Sequence, residues 1–146
     1  NGDTLIKASS QWILIDAARR RPIALRENLP MYQVIGERVI DTDFPKISEP
    51  QKIDEAAEFF IRFDDIDLNN HVNNAVYPLW ASEAVGIDFR AAHTPAEIEI
   101  AFKKEGLYGE DIRVETEFDN LTTIHRIKAT GDGRELARVR ICWIGI

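Results

Sequence analysis

Two stretches in the second half of the chain alternate apolar and polar residues with a period of two. Ile98, Ile100 and Phe102 alternate with Glu97, Glu99 and Lys103, and Ile112, Val114 and Phe118 alternate with Arg113, Glu115 and Glu117. That period places one set of side chains on each face of a half-buried strand. Two further strands are expected over 121–130, after an Asp119-Asn120 turn, and over 136–144, after a Gly131-Asp132-Gly133 turn. Upstream the period changes. Residues 74–85 carry Val76, Leu79, Trp80 and Val85 at helical spacing, with Asn73 or Asn74 as cap, Pro78 near the first turn and Gly86 as the stop. Residues 59–63 predict a strand before it. The order β-α-β-β-β-β is α+β, one long helix against a curved antiparallel sheet.

The first part of the chain reads differently. Residues 5–16 are rich in strand formers around Trp12-Ile13-Leu14-Ile15, and 23–25 predict a short second strand. Residues 29–57 hold Pro30, Pro45 and Pro50, mixed charges and a short helix near 31–37; they read as a linker ordered by packing on its neighbours.

Composition narrows the function classes. With 146 residues, 45% hydrophobic and 29% charged, the chain is globular rather than disordered. No apolar run approaches the roughly 20 residues of a membrane span, and the first residues have neither a basic nor an apolar signal-peptide region. A single cysteine, Cys142, excludes an intrachain disulfide and fits a reducing compartment; it sits beside Trp143 in an apolar strand and reads as an inert buried thiol. The net charge of −7 argues against nucleic acid. An acidic partner would need a local basic patch, and Arg19-Arg20-Arg21 is the tight cluster available, with a solvated turn as the competing reading.

The chemistry concentrates in residues 67–74, which hold Asp67, Asn69, Asn70, His71, Asn73 and Asn74 just ahead of the helix. Such a run buries little apolar surface and leaves many polar groups to satisfy. Asp67, Asn69 and His71 together suit deprotonating a water, orienting it and stabilising an oxyanion. His71 can act as acid or base, or fix its neighbours. Asn69 can polarise a carbonyl or hold a carboxylate. The helix start behind Asn73 is expected to offer free backbone N–H groups. Glu105, at a strand end before Gly106-Leu107-Tyr108-Gly109, is a candidate general base. Capping and turn chemistry is the competing reading of the asparagines. His93 and His125 are isolated and read as surface or structural. No nucleophile elbow, phosphate loop, dinucleotide fingerprint or metal-ligand spacing is present, so no metal or cofactor is expected.

At these residues the chain resembles the fatty acyl-ACP thioesterases of plants and bacteria. The run from Arg62 through Asp67, Asn69, His71, Asn73 and Asn74 to Tyr77 is similar to that family's signature before its central helix. Ile98-Glu99-Ile100-Ala101-Phe102-Lys103-Lys104-Glu105 is similar to its second signature strand. Ser9-Ser10-Gln11-Trp12-Ile13-Leu14-Ile15-Asp16 with Arg20-Arg21-Pro22 resembles the end of its first domain. The resemblance implies a hotdog fold and hydrolysis of the thioester joining a fatty acyl chain to acyl carrier protein. It implies a site of Asp67, Asn69, His71 and Glu105, with Glu105 activating water, Asp67 and His71 orienting and balancing charge, and Asn69 positioning. Asn73 and Asn74 would contact substrate, and Arg19, Arg20 and Arg21 would dock the carrier.

Plant members often carry a cysteine after the glutamate; Gly106 stands there, which favours direct attack by water. The family carries two hotdog domains. The expectation is therefore that residues 1–28 are terminal strands of an upstream hotdog, 29–57 a linker and 58–146 a complete hotdog, that the chain is a fragment, and that two copies associate in place of the missing half. A bacterial cytoplasm is the expected compartment, or a plastid for a plant source.

Overall fold

The computed structural model describes residues 3–16, 18–19, 21–29 and 36–146. The chain divides into two compact units, Asn1–Pro45 and Lys46–Ile146. In the first, β1 (Ile15–Asp16) pairs antiparallel with β2 (Arg21–Pro22), followed by a single helical turn, α1 (Leu25–Asn28). The Asp16 carboxylate accepts the N–H groups of Ala18 and Arg19, which sets the turn between the strands. Pairing is much shorter than the strand expected over 5–16, and the strand expected at 23–25 pairs two residues earlier and then gives way to α1. A strand needs a partner's backbone groups, and among the described residues of this unit the ladder reaches from Leu14 to Ile23. Trp12 and Ile13 remain 73% and 67% exposed, so the apolar cluster that predicts a buried strand is not buried. The helix expected near 31–37 falls, up to residue 35, outside the described residues, as does Arg20.

The second unit is built on a five-stranded antiparallel sheet in the order β3-β5-β6-β7-β4. Its strands are β3 (Glu55–Phe60), β4 (His93–Phe102), β5 (Asp111–Asp119), β6 (Thr122–Ala129) and β7 (Glu135–Gly145). Between β3 and β4 lie α2 (Val76–Glu83) and α3 (Ile87–Ala92). Tyr77, Trp80 and Ala81 of α2 are buried in one apolar core with Ile112, Val114, Ile127, Val139 and Ile141 of the sheet. Each such large side chain contributes about 1.5–3 kcal/mol by leaving water. This is the layout of the expected hotdog.

The helix differs from expectation. It begins at Val76, and Gly86, at φ 76°, breaks it from α3 rather than ending it outright. That left-handed conformation is cheap only for glycine. Pro78 is third in α2, where its missing N–H costs nothing. β3 starts four residues earlier than expected and ends three earlier, the end being set by Ile61, which bonds instead to the backbone of Glu110 and Gly109.

The two sheet faces have opposite chemistry. The outer face carries ion pairs. Glu115 sits between Arg126 at 2.7 Å and Lys128 at 2.6 Å, and Arg138, 3% exposed, pairs with Glu49 and Glu135. Burial pushes the Glu115 carboxyl up, but Lys128 and Arg126 outweigh it and hold it below the usual range. Cys142 lies on this face, half-buried, 3.3 Å from the Arg140 guanidinium, rather than in an apolar strand interior.

The inner face holds one small buried polar cluster, His125 with Thr116 and Thr123. His125 is fully buried, with Nδ1 3.0 Å from Thr116 Oγ1 and Nε2 2.7 Å from Thr123 Oγ1, which also accepts the Trp143 indole N–H. Burial pushes its pKa from 6.5 down to about 3. The unfolded chain takes up this proton as pH falls through 6.5, whereas the folded chain refuses it until about pH 3. Stability should therefore decline between those values, by about 2 kcal/mol at pH 5 relative to neutral. Urea unfolding at pH 7 and pH 5 measures this; His125→Gln should flatten the slope between them even if it lowers both values.

Candidate active site

The loop from Ile66 to Val72 is a tight turn closed by a β-bridge between those two residues. Asp67 N–H donates to the His71 carbonyl at 2.8 Å, Asn70 N–H to the Asp67 carbonyl at 3.1 Å, and Asn70 adopts φ 62°. Asparagine tolerates that region better than other residues with a Cβ. The half-buried Asp67 carboxylate accepts the Asn69 backbone N–H at 2.8 Å and lies 3.4 Å from the Asn69 side-chain nitrogen. This pair fixes Asn69 at the exposed tip of the turn.

His71 points the other way, toward Glu105. Its Nε2 lies 3.3 Å from Glu105 Oε2, with the histidine side chain 33% and the glutamate side chain 51% exposed. Backbone pairing brings them together: Val72 N–H donates to the Gly106 carbonyl at 3.0 Å, joining the residues that follow each. The four expected site residues thus fall into two pairs on one loop system, Asp67 with Asn69 and His71 with Glu105.

Gly106 is enclosed. A Cβ there would lie 3.0 Å from Val72 Cγ2, 3.1 Å from Ile61 Cδ1 and 3.3 Å from Leu136 Cδ1. A cysteine at this position would have to displace all three.

The asparagines before α2 are used partly for folding. Asn73 Oδ1 accepts Ala75 N–H at 3.0 Å and the Asn73 carbonyl accepts Val76 N–H at 2.9 Å. Pro78 has no N–H. The supply of free donors at the helix start is therefore smaller than expected. Asn73 and Asn74 remain exposed, Asn73 on a cleft whose walls include Phe63, Ile66, Leu68 and Asn69. Arg19 and Arg21 are exposed in the first unit.

Three neighbours escape the sequence reading. Tyr77 is buried; burial pushes its hydroxyl up, opposed by a hydrogen bond from the Gly106 backbone. Glu110 and Arg134 pair beside the glutamate's loop. Tyr77 is hidden in helical apolar spacing, and nothing local marks the other two, because they meet only through strand pairing. Among the described residues no group of three His, Cys, Asp or Glu could hold a metal, and no helix is long and apolar enough to cross a membrane.

The family model for the acyl-ACP thioesterase C-terminal domain matches residues 48–145. The chloroplastic palmitoyl-acyl carrier protein thioesterase of Arabidopsis thaliana is 26% identical over 97% of this chain and 39% of its own length. The chain therefore spans about two fifths of that relative. Among solved structures, a 12:0-ACP thioesterase from Umbellularia californica superposes with a TM-score of 0.73 at 19% identity, over 90% of this chain and 53% of that one. A 1,4-dihydroxy-2-naphthoyl-CoA thioesterase from Synechocystis superposes at 0.56 with 14% identity, over 63% of this chain and 81% of that one. These likenesses establish the hotdog fold.

Because Gly106 is walled in, Gly106→Ala should cost about 1–3 kcal/mol of stability by overpacking. Denaturant unfolding beside the parent chain measures it, and an unchanged midpoint would mean the three neighbours yield freely.

Proposed function

The chain belongs to the acyl-ACP thioesterase family, and on that premise we propose that it hydrolyses the thioester of fatty acyl-acyl carrier protein to release a free fatty acid. The observation that carries the reading is the approach of His71 Nε2 to Glu105 Oε2 beside a turn that fixes Asn69. Glu105 takes a proton from water as the water oxygen bonds to the thioester carbonyl carbon. The carbonyl oxygen gains charge, and the Asn69 amide positions and stabilises it. His71 orients Glu105 and balances its charge, and Asp67 holds Asn69. Collapse of the adduct breaks the carbon–sulfur bond, and the phosphopantetheine thiolate leaves with the proton. Asn73 and Asn74 line the approach of the substrate. No step needs a covalent enzyme intermediate, in keeping with the closed space at Gly106.

Residues 1–28 are proposed to be terminal strands of an upstream hotdog, followed by a linker that ends before β3; the expected boundary at 57 falls inside that strand. Two copies are proposed to associate through open strand edges, where Ile98 and Phe102 of β4 and Phe60 of β3 are half-exposed. The proposed compartment is a bacterial cytoplasm, or a plastid for a plant source.

Thiol release from long-chain acyl-ACP and acyl-CoA tests the reaction. Glu105→Gln should lower turnover by about 10²–10⁴-fold and Asn69→Ala by about 10²–10³-fold. Equal rates on both substrates would make this an acyl-CoA thioesterase. Tight binding without turnover, indifferent to Glu105→Gln, would make it an acyl-binding module.

Arg19, Arg20 and Arg21 are proposed to dock the acidic carrier. Replacing all three with Glu should raise KM for acyl-ACP and leave small thioesters unaffected; equal effects on both would remove the docking role.

A further inference from the structure

The sheet order sets a problem at the site. β4 lies at one edge and β5 beyond β7 and β6, so residues 103–110 must cross the ends of both strands. That crossing covers three strand spacings, about 14 Å, and Glu105 lies within it. Its first part is held by Lys103 and Lys104 N–H groups, both donating to the Leu136 carbonyl at the start of β7. Its last part is held by Ile61 N–H on the Glu110 carbonyl at 2.9 Å and Gly109 N–H on the Ile61 carbonyl at 3.1 Å.

The middle is held by charge. The Glu110 carboxylate accepts Leu107 N–H at 2.9 Å and pairs through both oxygens with Arg134 Nη2. The same nitrogen lies 3.4 Å from the backbone carbonyl of Glu105. Arg134 comes from the β6–β7 turn and is anchored there by Asp132, which pairs with its Nη1 at 2.8 Å and accepts its backbone N–H at 3.1 Å. The Arg134 and Glu110 side chains are only 22% and 25% exposed, so water weakens the pair less than an open one.

We infer that the Glu110–Arg134 ion pair is a positioning device that holds the crossing loop so that Glu105 meets His71. Glu110 fixes the loop after Glu105 through Leu107, and Arg134 ties the Glu105 backbone to the β6–β7 turn. Neither side chain reaches His71, so both act through Glu105. The assignment rests on the reading of Glu105 as the base.

Arg134→Met should lower kcat for acyl-ACP by about 10- to 100-fold, the scale of a misplacement near 1 Å, with KM nearly unchanged. Arg134→Lys should recover most of the loss. Placed in Glu105→Gln, Arg134→Met should change residual turnover by less than about twofold, since effects acting through one group do not add. Glu110→Gln, which keeps an acceptor for Leu107 N–H, is the second variant and should behave alike.

NMR of the histidine rings gives a readout independent of turnover. Glu105→Gln shifts the His71 ring signals, and Arg134→Met and Glu110→Gln should shift them the same way while those of buried His125 stay in place. Unmoved His71 signals, or shifts spread equally to His125, would overturn the inference. If the parent chain hydrolyses no thioester, turnover with an upstream hotdog domain added back decides the proposed function, and the His71 signals still decide whether the pair positions Glu105.

Discussion

The backbone bond from Val72 N–H to the Gly106 carbonyl is the contact on which the candidate site depends. It joins two segments brought near each other for unrelated reasons. One is the polar turn between β3 and α2, folded by its own Asp and Asn side chains. The other is the crossing from β4 to β5, imposed by a sheet whose strand order differs from its chain order. A single net backbone bond is worth about 1 kcal/mol, too little to hold two loops in register alone. The packing around Gly106, with Ile61, Val72 and Leu136 close on it, adds to it, as does the Glu110–Arg134 pair.

How legible each part was depended on how local its cause is. β5, β6 and β7 could be read from alternation and turn residues because a half-buried strand writes its period into its own sequence. The left-handed Asn120 sits where the Asp119-Asn120 turn was expected. Asp67, Asn69 and His71 stood out because a cluster of polar residues beside apolar elements is costly unless used; Glu105 stood out only as a strand-end carboxylate before a glycine loop, and the four were joined as one candidate site by the family resemblance. β4 began five residues earlier than its alternation indicated, since His93, Thr94 and Pro95 are held by pairing with β7 rather than by propensity. The break at Gly86 was read only as a stop, because one glycine encodes an interruption without saying whether a second helix follows. Tyr77 was read only as part of the signature run, and the Glu110–Arg134 pair was not found, because the two residues lie 24 apart and only strand register brings them together.

The sheet itself divides stability from solubility. Its inner face is nearly all apolar, with the His125, Thr116, Thr123 and Trp143 network as the exception, and each of those polar atoms has a partner. Its outer face is a lattice of opposite charges in which Arg126 and Arg138 share Glu49, which lies ahead of β3. That arrangement lets the chain keep one face in water without exposing a continuous apolar surface. It also explains why 29% charged residues coexist with a well-filled core.

The enclosure of Gly106 bears on how such a site can change over evolutionary time. Substitutions are acquired singly, and the order in which they arrive matters when one obstructs another. Any side chain at position 106, including a nucleophilic one next to Glu105, collides with Ile61, Val72 and Leu136 as they stand. Either those neighbours give way, at about 1–3 kcal/mol, or a smaller residue at one of the three comes first, and by itself that brings only a void in the core, costing about 0.5–1.5 kcal/mol for the loss of one methyl group. The lineage to a thiol at this position therefore runs uphill before it offers anything to selection, and the glycine is held less by its own merits than by the fitness valley around it.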